Sequence, residues 1–210
     1  MLPSRLTMIC LGFVLCSLST VSHAVTLTFD EVPFQPVNGL TVNGVTFGFE
    51  VGGVPSNDAF YNAFGPGPGT TSPLISDPVL EGDVAGVLSL TLASPATRFK
   101  FAGALSDFGA LTPGFSVELF NPSNVSLGIF DVDTNPLVVF TEGQFVHAGE
   151  LVQRVVIDFN DAATGPGRFL IDSVTFDLPE PMSVGLFALG LAGLSFARRR
   201  PGAVPQSVRG

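Results

Sequence analysis

Two acidic side chains of this sequence fall on strand faces that are otherwise apolar, where a carboxylate needs a specific partner. Extending the alternation of residues 25–29 places Glu31 on their apolar face, and Asp172 alternates in the same way within an apolar run near the end. A buried carboxylate needs a counter-charge, N–H donors or a metal ion. If the first and last strands run side by side, Glu31 or Asp30 joins Asp172 around a structural Ca²⁺, a hard cation that takes oxygen ligands. The alternative is a bulge that turns Asp172 outward.

Other reactive centres have less support in the sequence. Cys10 and Cys16 both lie in the first apolar segment, which leaves the rest of the chain without a thiol. His147 is the single histidine between residues 25 and 178, and such a lone histidine is more often a surface or hydrogen-bonded residue than a catalytic one. A glycoside hydrolase needs a facing pair of carboxylates, and sequence alone does not select one from many. We therefore predict a non-enzymatic protein with no catalytic residues.

Charge is distributed unevenly along the chain. Between residues 25 and 178 there are 17 acidic side chains and four basic ones, which are Arg98, Lys100, Arg154 and Arg168. A domain of this charge repels phosphate backbones, so nucleic acid is excluded as a partner. It attracts divalent cations or cationic polymers, although acidic surfaces also serve solubility alone.

Period-2 alternation runs through the middle of the chain and predicts short strands. Asn43-Gly44 between two alternating runs is a strong hairpin signal. Turn clusters such as Thr112-Pro113-Gly114 and Asn121-Pro122 separate the strands. The strands we predict are 25–30, 40–42, 45–47, 87–92, 97–102, 115–120, 125–130, 137–140, 144–147, 151–159 and 169–177. This pattern predicts an all-β, antiparallel, jelly-roll-like β-sandwich over residues 25–178.

One long segment interrupts this pattern. Gly52–Pro78 is rich in Gly, Pro, Ser and Asn, with Gly65-Pro66-Gly67-Pro68-Gly69 at its centre. We expect a long loop there. Long loops on sandwiches often bind ligands, and others are simply mobile, so both interpretations stay open.

The N-terminus has the pattern of a signal peptide. Arg5 supplies a positive charge, residues 6–18 form an apolar core, and small residues precede the bond between Ala24 and Val25. We expect signal peptidase to remove residues 1–24, which form an apolar signal helix.

The C-terminus has three consecutive parts. Pro179-Glu180-Pro181 ends the last strand, since proline cannot continue a ladder. Residues 182–197 are uncharged and mostly apolar, about 24 Å long as a helix, which predicts a short transmembrane helix. Arg198-Arg199-Arg200 follows and should stay cytoplasmic, with residues 201–210 as a short cytoplasmic tail.

Together, Pro179-Glu180-Pro181, the apolar run 186–194 and the residues Phe196 to Arg200 resemble the PEP-CTERM protein-sorting signal, a tail also labelled an ice-binding protein C-terminal domain. The resemblance covers residues 179–200. It implies a Gram-negative bacterium that makes exopolysaccharide, with a membrane-embedded exosortase that recognises Pro-Glu-Pro and processes the tail. A plain C-terminal anchor is the alternative.

These observations predict an exported protein that crosses the inner membrane, is held there transiently and then reaches the cell surface or extracellular matrix. The resemblance implies work in the exopolysaccharide of a biofilm. A second hypothesis is a carbohydrate-binding module whose site is the Gly52–Pro78 loop or a sheet face. A hydrolase is a third.

Overall fold

Alternating apolar and polar side chains form strands throughout the part of the chain that the computed structural model describes, residues 23–65 and 72–178. The elements are β1 (His23–Leu27), β2 (Gln35–Pro36), β3 (Thr41–Val42), β4 (Val45–Val51), β5 (Val54–Pro55), β6 (Ala59–Ala63), β7 (Val79–Asp83), β8 (Gly86–Leu105), β9 (Leu111–Phe120), β10 (Ser126–Pro136), β11 (Thr141–Phe159), α1 (Asp161–Thr164) and β12 (Arg168–Leu178). All strand pairs are antiparallel, which confirms the predicted all-β antiparallel sandwich. Its jelly-roll winding stays a prediction.

Two long strands, β8 and β11, contribute to both layers of the sandwich. The first half of β8 pairs with β4 and with the second half of β11, which in turn pairs with β9. The second half of β8 pairs with the first half of β11 and with β12. Register shifts on either side of Val152 mark the change of layer, as bulges commonly do at bends.

The two layers can therefore be defined by these halves. The first sheet contains β3, β4, β5, β9, most of β10 and the pair 86–92 with 154–159. The second sheet contains β1, β12, β7, β6, β2 and the pair 96–105 with 141–152. All strands remain in one hydrogen-bonded network because β8 and β11 run through both sheets.

Phenylalanine fills the space between the sheets. Phe159 of the first sheet stacks on Phe169 of the second, with ring centroids 3.9 Å apart, and Phe49 approaches Phe169 at 5.8 Å. Along β4 the inward residues Val45, Phe47 and Phe49 are buried and the residues between them are more exposed. Because a buried aromatic side chain contributes about 1.5–3 kcal/mol, this layer is the main source of stability.

The predicted Asn-Gly hairpin is confirmed. Asn43 and Gly44 have φ values of 46° and 83° and connect β3 to β4. Two positive φ values are the signature of a type I′ turn, whose twist matches that of the flanking strands.

Three local predictions are wrong. Leu137–Phe140 is the turn between β10 and β11, since these strands pair up to Pro136 and Thr141 and the four residues between them must reverse the chain. Thr112-Pro113-Gly114 lies inside β9, where a register shift in the β10 ladder leaves room for a proline that donates no hydrogen bond. The segment Gly52–Pro78 is not one loop, because it contains β5 and β6.

The first and last strands lie side by side, which is the arrangement that the calcium hypothesis assumes. In the β1–β12 pair, His23 is opposite Leu178 and Ala24 is opposite Asp177. Residues 1–22 of the predicted signal helix and the predicted tail, residues 179–210, lie outside the described residues, whereas His23 and Ala24 of the predicted signal segment are the first residues of β1. Within the described residues, no helix is long and apolar enough to cross a membrane.

The stacked pair Phe159–Phe169 gives a direct test of the sandwich. We expect Phe169→Ala to lower the free energy of unfolding by about 3–5 kcal/mol, because it leaves a cavity between the sheets. Phe108→Ala is the control, since its side chain is 76% exposed and should cost less than about 0.5 kcal/mol. Urea denaturation of both variants measures the difference, and equal effects would contradict the packing described here.

Candidate functional site

The outer face of the second sheet is divided into a covered half and an open half. The cover segment, residues 72–78, lies over the covered half. Its Leu74 and Ile75 pack in a small apolar cluster with Ala102, Ala104 and Leu170 of the sheet. The covered half is therefore a second, minor hydrophobic core and not a ligand surface.

Two carboxylates beneath the cover segment are buried and satisfied. Asp172, 2% exposed, accepts hydrogen bonds from the backbone N–H and the hydroxyl of Ser76 at 2.9 and 3.0 Å. Glu142, 4% exposed, accepts one from the Ser72 hydroxyl at 2.5 Å. Donation from Ser72 and Ser76 removes part of the desolvation cost of burying charge, so these acids fasten the cover segment to the sheet.

The other two residues predicted for calcium have separate partners. Glu31 accepts hydrogen bonds from the Thr28 backbone N–H at 2.8 Å and from the Tyr61 hydroxyl at 2.5 Å, while Asp30 accepts from the Thr28 hydroxyl at 2.7 Å. Asp30 and Glu31 follow the end of β1 at Leu27, and they share no hydrogen-bond partner with Asp172. Among residues 23–65 and 72–178, no three Asp, Glu, His or Cys residues form a group that could hold a metal. The calcium site stays a prediction.

Tyr61 is the inner partner of Glu31. Its ring is fully buried between Phe29 and Phe47, with centroid distances of 5.0 and 5.8 Å. Burial, then the hydrogen bond to Glu31 and the charges of Glu31 and Asp30, raise the pKa of the Tyr61 phenol well above its ordinary value. The phenol is therefore a structural donor, held protonated inside the sandwich.

The open half of the second sheet forms a groove of about 450 Å³. Val146, Lys100 and Thr175 lie opposite one another on β11, β8 and β12. The side chains and backbone that line the groove belong to Ala24, Arg98, Phe99, Lys100, Val146, His147, Ala148, Thr175, Phe176 and Asp177. A volume in this range suits a small ligand or a segment of a polymer.

The groove offers both donors and acceptors. Arg98 approaches Asp177 at 3.8 Å, a loose ion pair in which the arginine side chain is 74% exposed. The Thr175 hydroxyl is 3.0 Å from that of Thr26 on β1, and the His147 imidazole Nε2 lies 3.0 Å from the Glu150 carbonyl oxygen. Val146, 63% exposed, adds apolar surface. The His147 side chain alternates with that of Val146, so it lies on the other face of β11, where its ring is 6.5 Å from that of Phe130. Its hydrogen bond is therefore outside the groove, and it has no acidic side chain as an orienting partner among these contacts.

A separate acidic recess lies on the first sheet. Asp131 and Asp158 both pair with Ser116 from opposite sides, which sets their Cα atoms about 10 Å apart. Pro113, Asn160 and Asp161 help to line this recess of about 360 Å³. Burial, then the charge of Asp161, raises the pKa of the Asp158 carboxyl. This recess is the place on the first sheet where the hydrolase hypothesis can be tested.

The groove residues are not recognisable as a site from the sequence alone. A signal was available, because Arg98 and Lys100 are two residues apart in a predicted strand and therefore share a face. Their neighbours Val146 and Thr175 were not identifiable, since the register between distant strands is needed to bring them there.

Comparison with known proteins gives only distant structural similarity. No protein-family profile and no curated protein matches the sequence. A mutant of a family 29 carbohydrate-binding module is 12% identical, with a TM-score of 0.38 over 74% of this chain and 92% of its own. The K2 cleaved adhesin domain of Lys-gingipain is 14% identical, with a TM-score of 0.41 over 74% of this chain and 100% of its own. Neither value establishes a shared ligand.

The buried phenol makes a clean spectroscopic prediction, because Tyr61 is the only tyrosine and the chain has no tryptophan. The raised pKa means that the stability it contributes is complete below about pH 10 and is lost as pH rises above that value. At about pH 11 the folded protein should show no phenolate absorbance, which should appear when denaturant is added.

Tyr61→Phe is the control, with no phenolate signal in either state. A phenolate signal that rises with a midpoint near pH 10 in the folded protein would contradict the buried Tyr61–Glu31 contact.

Proposed function

We propose that this chain is an exported, non-enzymatic surface or matrix protein that binds extracellular polysaccharide in the groove of the second sheet. The observation that carries the proposal is the division of that sheet's outer face. One half is closed by the cover segment, and the other is an open groove of about 450 Å³ lined by donors, acceptors and apolar surface.

The residues of the groove match the chemistry of a sugar polymer. Sugar hydroxyls both donate and accept hydrogen bonds, so Asp177 and Thr175 serve as acceptors and Arg98 and Lys100 as donors. The C–H surfaces of sugar rings pack on apolar groups such as Val146. A groove open along a sheet face admits the middle of a chain, which suits a polymer.

The route to the surface is part of the proposal. Signal peptidase would cut between Ala24 and Val25, and an exosortase in the inner membrane of a Gram-negative bacterium would process the tail at Pro179-Glu180-Pro181. The pairing of His23 with Leu178 supports this route, because the first and last described residues of the β domain then lie at the same edge.

Binding should depend on the apolar surface of the groove. Val146→Ser should weaken affinity for the organism's own exopolysaccharide about fivefold, because it removes apolar contact worth about 1 kcal/mol. The matched control is Ile129→Ser, a residue 66% exposed, close to the 63% of Val146, on β10 of the first sheet. Saturation binding to the immobilised polymer measures both.

Absence of saturable binding by the unaltered protein would contradict the proposal. The same samples, assayed for new reducing ends, test the hydrolase alternative. Release of reducing ends that disappears in Asp158→Asn would favour the acidic recess as an active site and would overturn the non-enzymatic assignment.

The sorting route predicts the mass of the exported protein. Intact-mass spectrometry of protein from the cell surface or medium should give a chain that begins at Val25 and ends near Pro181. Retention of Arg198-Arg199-Arg200 would instead indicate a plain membrane anchor, and a chain that still carries residues 1–24 would contradict signal peptidase cleavage.

A further inference from the structure

We propose that the groove selects polysaccharides that carry carboxylate groups, an inference that rests on the proposed polysaccharide binding. The region between residues 25 and 178 has 17 acidic and only four basic side chains. Two of those four, Arg98 and Lys100, line this one groove. In so acidic a domain, this placement makes the groove a local site for anions.

The other two basic residues are engaged elsewhere in the fold. Arg168 forms ion pairs with Asp58 at 2.8 Å and with Glu81 at 3.0 Å. Arg154 lies 3.7 Å above the centre of the Phe120 ring and donates to the Asn124 side chain at 3.0 Å. Both side chains therefore already have partners within the fold.

Arg98 and Lys100, unlike Arg154 and Arg168, are available to bind a ligand. Lys100 has no acidic partner within ion-pair distance in the described part of the chain, and Arg98 has only the loose contact with Asp177 at 3.8 Å. Arg98 and Lys100 alternate on the same side of β8, about 7 Å apart, so one polymer strand meets both. An arginine also matches a carboxylate in a bidentate manner, which gives the contact geometric specificity.

The surroundings favour a polymer chain over an anionic membrane. The cations line a recess, whereas a flat bilayer would contact a wider area of a domain that carries 17 acidic and four basic side chains between residues 25 and 178. Asp177 and Thr175 lie in the same recess and accept hydrogen bonds, which suits a ligand with hydroxyl groups beside its carboxylates. A uronic-acid polymer combines these two chemistries.

Export would strengthen the same preference. Ala24 lines one end of the groove and lies opposite Asp177 in the β1–β12 pair. If signal peptidase cuts after Ala24, the new α-ammonium group of Val25 arises at that end. The exported protein would then present a third cation beside Asp177. Its positive charge would offset the repulsion between the Asp177 carboxylate and an anionic ligand.

The experiment compares polygalacturonate with its carboxyl-reduced counterpart, which has the same length and linkage without the charge. Binding to the exported protein is measured by titration calorimetry at low and high salt. We expect binding to polygalacturonate that weakens with salt, and at least tenfold weaker binding to the reduced polymer. Arg98→Gln and Lys100→Gln should each weaken polygalacturonate binding about two- to fivefold. Arg154→Gln is the matched control and should bind as the unaltered protein does.

The outcomes separate this inference from the function on which it rests. Equal binding of both polymers, or no effect of Arg98→Gln and Lys100→Gln, would overturn carboxylate selection and leave polysaccharide binding in place. If the protein binds none of the three polymers, which are polygalacturonate, its reduced counterpart and the organism's own exopolysaccharide, carboxylate selection and polysaccharide binding are both overturned. Equally tight binding to vesicles of phosphatidylserine or to polyglutamate would overturn selection for a sugar polymer, because charge alone would then explain the affinity.

Discussion

The pairing of β8 with β11 is the constraint on which the rest of the structure depends. These two strands pair in both sheets, and every layer of the sandwich takes its register from them. A slip of one residue would invert the faces of β8. Phe99 and Phe101 would then leave the core, and Arg98 and Lys100 would enter it. The same register that closes the phenylalanine core therefore exposes the two groove cations.

The position of the cover segment determines which half of the second sheet is covered and which half is open. Leu74 and Ile75 bury the apolar part of its outer face, and their position depends on the hydrogen bonds that Ser72 and Ser76 donate to Glu142 and Asp172. These acids are costly to bury, and their partners confine the cover segment to one end of the sheet. The other end, where Lys100 and Thr175 lie, stays open as a groove.

Much of the fold was predictable because its signals are local. The Asn43-Gly44 turn and the alternation of residues such as Val45 to Phe49 depend only on neighbours in sequence. Leu137–Phe140 was mistaken for a strand because apolar residues at a tight turn look the same as a short strand without knowledge of pairing. β6 was missed because glycine and proline around it suggested a loop.

The site was less predictable, since it depends on register between distant strands. Alternation predicts that Asp172 needs a partner, and the partner it has is Ser76, 96 residues away in sequence. Lys100 and Thr175 meet only because β8 pairs with β12. Alternation places a residue on one face of a strand, and the neighbours it meets there follow from tertiary pairing alone.

The claim that the open half of the second sheet is the binding face can be tested by mapping backbone amide shifts in nuclear magnetic resonance spectra during titration with the polysaccharide. The account predicts that the largest changes fall on Lys100, Val146 and Thr175, with Ser116 and Asp158 of the first sheet unaffected. Changes centred on Ser116 and Asp158, with Lys100 and Thr175 unmoved, would contradict it.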